Sequence, residues 1–192
     1  LGLMAGYFGG RVDNLIMRFA DVQLSFPTIL IALLIDGLSR QAMPRDLHAT
    51  LAIPLVVLAI ALSNWVQYAR TVRGSTMVER NKEYVQAARV TGVAPLRIMA
   101  KHVLPNVMGP VLVLATIQVA TAIITEATLS FLGVGAPPTS PSLGTLIRVG
   151  NDYLFSGEWW IPVFPGLMLI LIALSVNLLG DWLRDALNPR LQ

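Results

Sequence analysis

The stretch VMGPVLVLATIQVATAIITEATLSFL, residues 107–132, holds twelve Leu, Ile, Val and Phe residues and a single charge, Glu126. About 20 predominantly apolar residues in an α-helix span the hydrocarbon core of a bilayer, and this run is long enough. A charge at the bilayer centre costs roughly 2.5–3.5 kcal/mol, against about 0.3–0.6 kcal/mol gained from each large aliphatic residue. The run therefore inserts with Glu126 included. Glu126 stands toward one end of it, where the cost falls. Three further stretches qualify on the same ground: residues 24–38, 47–68 and 159–179. The first is short on strict apolarity, and its start is expected further back, near Ile16 or Met17.

Composition agrees with lipid as the solvent. Of 192 residues 55% are hydrophobic and 13% charged, about half the charge density of a soluble domain. There is no cysteine, which excludes a disulfide framework, a thiolate metal site and a cysteine nucleophile. The opening Leu1-Gly2-Leu3-Met4-Ala5-Gly6 lacks the basic start and cleavage site of a signal peptide. It reads as the end of another span. The expected fold is an all-α polytopic membrane protein with four complete transmembrane helices plus the end of a fifth. It forms one domain over residues 1–192, with an N-terminal part missing.

Lys and Arg concentrate on the cytoplasmic side of membrane proteins. Arg70, Arg73, Arg80, Lys82, Arg89, Arg97 and Lys101 lie between the second and third spans. Arg11 and Arg18 precede the first span, and Arg184 and Arg190 follow the fourth. Alternation puts these eleven on one side and leaves Arg40, Arg45 and Arg148 on the other. Residues 69–106 and the C-terminus are thus expected in the cytoplasm, and the loop 133–158 outside. The formal net charge of +3 is accounted for by this topology. No base-stacking aromatic pattern accompanies it, so nucleic acid is not an expected partner. Trp159 and Trp160 suit an interfacial aromatic belt, and Trp65 and Trp182 lie near the inner span ends. For each, ordinary packing stays open.

The basic loop has internal structure. Asn81 suits the N-cap of a short helix that Gly92 ends in a left-handed conformation. Pro95 suits the first turn of a second helix over 95–103, and Leu104-Pro105-Asn106 is expected to stop it. Ala87 and Ala88 leave a flat spot flanked by Glu83, Arg89 and Arg97. That pattern fits insertion into a partner's cleft, or an amphipathic helix lying on lipid headgroups.

The run Gln86-Ala87-Ala88, with Gly92 four residues on and Leu104-Pro105 beyond, resembles the EAA loop of binding-protein-dependent ABC importer permeases. Glu83-Tyr84-Val85-Gln86-Ala87-Ala88-Arg89 together with His102-Val103-Leu104-Pro105-Asn106 is similar to the dipeptide/oligopeptide/nickel branch. So are Ala5-Gly6-Tyr7-Phe8-Gly9-Gly10, Glu126-Ala127-Thr128-Leu129-Ser130-Phe131-Leu132-Gly133 and Asn177-Leu178-Leu179-Gly180-Asp181-Trp182-Leu183-Arg184-Asp185. Together they resemble the second, C-type permease of that branch over essentially the whole chain.

The resemblance implies a type I importer permease core (MetI-like), usually of six spans, so that the first and most of the second are absent here. It implies that Glu83, Tyr84, Gln86, Ala87, Ala88, Arg89, Gly92, Pro95 and Arg97 form a coupling helix docking on a separate ATPase. That ATPase carries ATP and Mg, and this chain holds no cofactor. Further implied partners are a second homologous permease, an extracytoplasmic substrate-binding protein and the bilayer of a bacterial or archaeal plasma membrane. Dipeptides, oligopeptides, glutathione and nickel complexes are the solutes associated with such permeases. Gln86 replaces the family's usual Glu at the head of the triplet, which leaves Glu83 for charge-dependent contacts. Leu143 stands where relatives often place a Trp.

Outside the loop, Glu126, with Ser130, is a candidate for lining the pathway or meeting the second permease; the alternative is a carboxylate at the membrane interface. Asp36, beside Gly37, is expected at an interface. Asp181 and Arg184 are spaced to pair on one helix face. His48 and His102 have no partner at metal-ligand spacing. Gly133, Gly135, Pro137, Pro138 and Pro141 exclude a regular helix over 133–142, leaving a plain loop or a shaped outer vestibule. No G-x-x-x-x-G-K-[ST] phosphate loop is present, nor H-E-x-x-H, nor a Ser, His and Asp set for hydrolysis. An ion-driven transporter using Glu126 and a non-transporting membrane scaffold are the rival readings.

Overall fold

The computed structural model describes residues 1–136 and 142–186, with the side chains of Arg45 and Arg184 left out. Among the described residues the architecture is helical, with no strand. The helices are α1 (Gly2–Phe8), α2 (Gly10–Leu24), α3 (Thr28–Ala42), α4 (Arg45–Glu79), α5 (Glu83–Val90), α6 (Pro95–Ile98), α7 (Leu104–Phe131), α8 (Leu143–Tyr153) and α9 (Trp160–Ala186). A π-helical segment, Met99–Val103, joins α6 to α7.

Among the described residues three helices are long and apolar enough to cross a membrane: Asp46–Glu79, Pro95–Phe131 and Trp160–Leu183. A fourth crossing exists if Gly10–Leu24 and Thr28–Ala42 count as one broken span. This corrects the expected first span over 24–38. Pro27 fixes its own φ and disfavours helix at Phe26, so α2 ends at Leu24 and α3 begins at Thr28. The second span also departs from expectation, because its helix continues eleven residues past Tyr68 to Glu79. Nothing breaks it there, and Arg70 and Arg73 on the extension donate to Asp21 and Asp13 of α2.

The third span likewise begins earlier than expected. Leu104-Pro105-Asn106 does not stop the preceding helix, which runs into α7 without interruption. Pro105 has no N–H for the ladder. The π-helical widening just before it closes i→i+5 bonds, with Leu104 N–H donating to the Met99 carbonyl. Asn106 Nδ2 donates to the His102 carbonyl at 2.7 Å. The second loop helix is therefore one α-helical turn, Pro95–Ile98, followed by the π segment, rather than a free helix over 95–103.

Contacts divide the chain into two compact units. The first contains Leu1–Ser25, Asn64–Ala115 and the chain from Trp182. Its core is Tyr7, Val85, Ala88, Ile98, Met99, Val103 and Val107. Gly2 and Gly6, spaced as G-x-x-x-G, let α1 lie against α4. A Cβ on Gly2 would fall 2.2 Å from the Ala69 carbonyl oxygen, and one on Gly6 2.7 Å from that of Arg73. Small residues at this spacing allow close helix approach where lipid removes the hydrophobic drive.

The second unit comprises Phe26–Ser63 and Thr116–Asp181. Ala32, Val56, Ala59 and Leu129 form its core, with Ile35 and Ile60 packed against them. The region expected as an outer loop contains α8, capped by Ser142, whose Oγ accepts from Thr145 N–H. Its Gly144 meets α7 backbone to backbone: a Cβ there would fall 2.0 Å from the Ala127 carbonyl oxygen. Pro137, Pro138 and Pro141, and Arg190, lie outside the described residues, as does the Arg184 side chain expected to pair with Asp181.

Candidate functional site

The loop between the second and third long helices is built as a small packed body. Val85 and Ala88, one turn apart on α5, are 0% and 8% exposed. They bury against Tyr7, Ile98, Met99, Val103 and Val107. That apolar contact fixes the rotation of α5 about its axis and turns Glu83, Gln86, Ala87 and Val90 outward. Ala88 is thus a core residue rather than half of a flat surface. The face left free consists of Glu83, Ala87 and Val90, at i, i+4 and i+7, with Gln86 beside them. Val90 is 88% exposed, and Leu96 on the next turn is 72% exposed.

Both ends of α5 are defined. Gly92 has φ +78°, its N–H reaches the Arg89 carbonyl, and Val93 N–H reaches that of Ala88 at 3.0 Å. This is a Schellman closure, and only glycine takes its left-handed position without strain. The N-terminal expectation fails. Lys82 is the cap and contributes no side-chain bond. Asn81 instead points back, its Nδ2 donating to the Met77 carbonyl at the end of α4. Gln86 Nε2 donates to the Asn81 carbonyl at 3.0 Å, a bond a carboxylate cannot make because it has no donor. Pro95 occupies the first position of α6, where its missing N–H costs nothing. Arg97 is exposed beside it.

Two of the expected docking residues, both exposed, also bond within the chain. Arg89 lies 4.8 Å over the Tyr7 ring, and its Nε donates to the Tyr7 hydroxyl at 3.2 Å. Tyr84 donates to Glu79 Oε2 at 2.5 Å and accepts from Asn106 Nδ2 at 3.2 Å. Partial burial of the phenol, then its bond to the Glu79 carboxylate, pushes the Tyr84 hydroxyl up to about 12. Lys82 Nζ closes the same knot at 2.6 Å from Glu79 Oε1. Arg80 Nη1 donates to the Gly6 and Tyr7 carbonyls at the end of α1. The loop is therefore fastened to α1, α4 and α7 by side chains spread over a hundred residues of sequence.

In the other unit, Glu126 and Ser130 meet as one turn of α7 allows. Ser130, 3% exposed, donates its Oγ–H to Glu126 Oε1 at 2.6 Å and accepts from Ala136 N–H at 3.2 Å. Glu126 lines a groove of about 540 Å³ between α4 and α7. Sequence reasoning missed a second cluster. Asp36 accepts from Arg40 Nε at 2.6 Å and lies 3.0 Å from His48 Nε2, and Arg40 Nη2 reaches the Gly133 carbonyl. Asp36 and His48 are twelve residues apart on different helices, so only the i,i+4 spacing of Asp36 and Arg40 was there to find. Among the described residues no group of three His, Cys, Asp or Glu is placed to hold a metal.

Long apolar helices joined by a structured, basic loop define a polytopic membrane protein. The chain belongs to the family of binding-protein-dependent transport system inner membrane components, whose model matches residues 1–192. A chain of Brucella suis biovar 1, provisionally named a peptide transport system permease protein, is 42% identical over all of this chain and 61% of its own length. The di/tripeptide transport system permease protein DppC of Pseudomonas aeruginosa is 39% identical over 60% of its length. The glutathione transport system permease protein GsiD of Pectobacterium atrosepticum is 36% identical, also over 60%. The chain thus spans about three fifths of the length of these relatives. Its fold is similar to a chain in the inward-facing MetNI methionine ABC transporter, with TM-score 0.65 and 18% identity. That match covers 97% of this chain and 82% of the other.

Proposed function

We propose that this chain is the membrane-embedded permease part of an ATP-driven importer for peptides or related small solutes. In this reading its α5–α6 loop docks on a separate ATPase. The observation that carries the proposal is the free face of α5. Ala87 and Val90, with Leu96 on the following turn, are apolar and exposed on a body whose opposite face is packed into the chain. A solvated loop does not need such a face, and a small apolar patch edged by Glu83, Gln86 and Arg97 suits a cleft in a protein partner.

The fastenings of the loop bear on mechanism. Arg80, Tyr84, Arg89 and Asn106 tie α5 to α1, α4 and α7. A push on α5 is then passed to the ends of two long helices without being absorbed in a flexible linker. ATP and Mg belong to the partner ATPase, whose closure would move α5 and switch access. A second related permease and an extracytoplasmic binding protein complete the assembly. The α5 loop and the C-terminus face the cytoplasm of a bacterial or archaeal cell, and residues 133–158 face outward. The peptide assignment follows the names of the relatives.

The test uses cells carrying the full importer and follows uptake of labelled dipeptide, a longer peptide and glutathione. Val90→Asp is expected to cut one of these uptakes at least about tenfold while shifting stability by less than about 0.5 kcal/mol, as for exposed sites generally. Ala88→Asp places a charge in the core and is expected to cost about 3 kcal/mol or more, so its loss of uptake accompanies loss of folded protein. Uptake that survives Val90→Asp and a second charge at Leu96, yet collapses with an uncoupler, points to an ion-driven carrier instead.

A further inference from the structure

The groove between α4 and α7 has aliphatic walls and one charge. Ile53, Val57 and Ile60 line it from α4, and Val119, Ile123 and Glu126 from α7. These positions recur at i, i+4 and i+7 on each helix, so each helix presents one continuous stripe to the same space. At about 540 Å³ the groove is within the range of small-molecule sites.

Glu126 is held in place inside this space. Ser130 accepts from the Ala136 amide and passes its own hydroxyl hydrogen to Glu126 Oε1. That relay orients the carboxylate and occupies one oxygen. The other oxygen has no protein donor among the described residues, and Glu126 forms no ion pair there. Arg40, a cation of the same unit, is committed to Asp36 and the Gly133 carbonyl, and Arg148 lies against Gly133. The undescribed residues 137–141 contain no Lys or Arg in their sequence, and Arg45, whose side chain is not described, stands at the start of α4, eight residues before Ile53. A fixed carboxylate in aliphatic surroundings is stabilised most by a positive group brought to it, because water cannot solvate it fully there.

We infer that this groove binds a primary ammonium group carried on an apolar body, with Glu126 as the counter-charge and Ser130 as its positioning residue. The charge complementarity selects a cation, and the aliphatic stripes select an apolar neighbour to it. A bare metal ion fits poorly, since hard cations take six or more oxygen ligands and no second carboxylate joins Glu126. An amino-terminal leucine or similar residue has the matching chemistry. This deepens the permease reading and rests on it for its biological sense, but the binding itself is measurable without transport.

The experiment uses the full importer in lipid nanodiscs with no binding protein added, so that upstream selection contributes nothing. Calorimetry or saturation-transfer NMR compares leucinamide with N-acetyl-leucinamide at pH 6.5, where only the former is charged. The wild type is expected to prefer leucinamide by about tenfold or more, the range of a charge-assisted hydrogen bond. Glu126→Gln keeps the acceptor for Ser130 and is expected to abolish the preference, whereas Glu126→Asp retains part of it. Equal binding of the two probes by the wild type overturns the inference, as happens if Glu126 pairs with a basic residue of a second permease. A preference unchanged in Glu126→Gln overturns it too, by placing the cation elsewhere. Failure of the permease reading would appear separately, as absence of peptide uptake in cells.

Discussion

The two compact units share close backbone contacts and differ in the polar side chains that fasten them. In the first, charged side chains cross between helices. Arg73 forms a two-pronged bridge to Asp13, Arg70 reaches Asp21 at 2.6 Å, and Arg80 caps α1. Backbones touch in both units, Gly2 and Gly6 against Ala69 and Arg73 in the first and glycines of α8 in the second. Gly144 lies against Ala127, and Gly150 against Ile161 and Pro162. Polar fastening among the described residues of the second unit includes the Asp36 cluster, the α8 cap and the Ser130 relay. The contrast follows from solvent. Where apolar surface faces lipid, burying it gains little, and close approach of small residues supplies the packing instead. Where the chain emerges into water, long charged side chains reach between elements and keep their heads hydrated.

The largest effect is expected where backbones meet. Gly144→Val adds three carbons, the first of them in the space of the Ala127 carbonyl, and is expected to destabilise by about 3 kcal/mol, the upper end for overpacking. Thermal melting of the full protein in nanodiscs would show it as a drop of several degrees. Unchanged melting would mean that the close approach is incidental.

Next come the ion pairs of the first unit. The Asp13 side chain is 13% exposed and Arg73 33%, against 62% and 50% for Asp21 and Arg70. A double-mutant cycle on Asp13→Asn and Arg73→Met is expected to give a coupling of about 2 kcal/mol, the order seen for partly buried charge pairs. The same cycle on Asp21 and Arg70 should give less than about 0.5 kcal/mol and vanish in high salt. Equal couplings in the two cycles would remove burial as the deciding variable.

The smallest effect concerns Tyr84. Tyr84→Phe removes the bond to Glu79 and is expected to cost about 1 kcal/mol. The native state holds this proton beyond the usual tyrosine value of 10.0, up to about 12. Its contribution is therefore complete below pH 10 and lost as the pH rises from 10 to 12. The melting difference between wild type and variant should narrow over that interval; a constant difference would show that Tyr84 does not keep its proton through the knot.

Much of this was legible in the sequence for a simple reason. Membrane insertion depends on runs of apolar side chains, and helix ends depend on a few residues, such as Gly92 and Pro95, whose backbone preferences act locally. The spans over 107–132 and 159–179 and the left-handed closure at Gly92 follow from those alone. Other features depended on distant partners. Nothing near Ala88 in the chain distinguishes it from Ala87; only Tyr7, Ile98 and Val107 decide that one is core and the other surface. Leu104-Pro105-Asn106 looked like a stop because proline usually is one, and the π-helical widening before it let the helix continue. Asp36 and His48 look unrelated until α3 and α4 bring them to 3.0 Å.

By itself the sequence determined that the chain is helical, lives in lipid and carries a structured basic loop, since these are set by side-chain hydrophobicity and local backbone preference. Only the tertiary structure decided which residues of that loop are exposed and that Glu126, bonded to Ser130, forms no ion pair among the described residues. Both depend on what other helices leave uncovered or bring near, which no local pattern encodes.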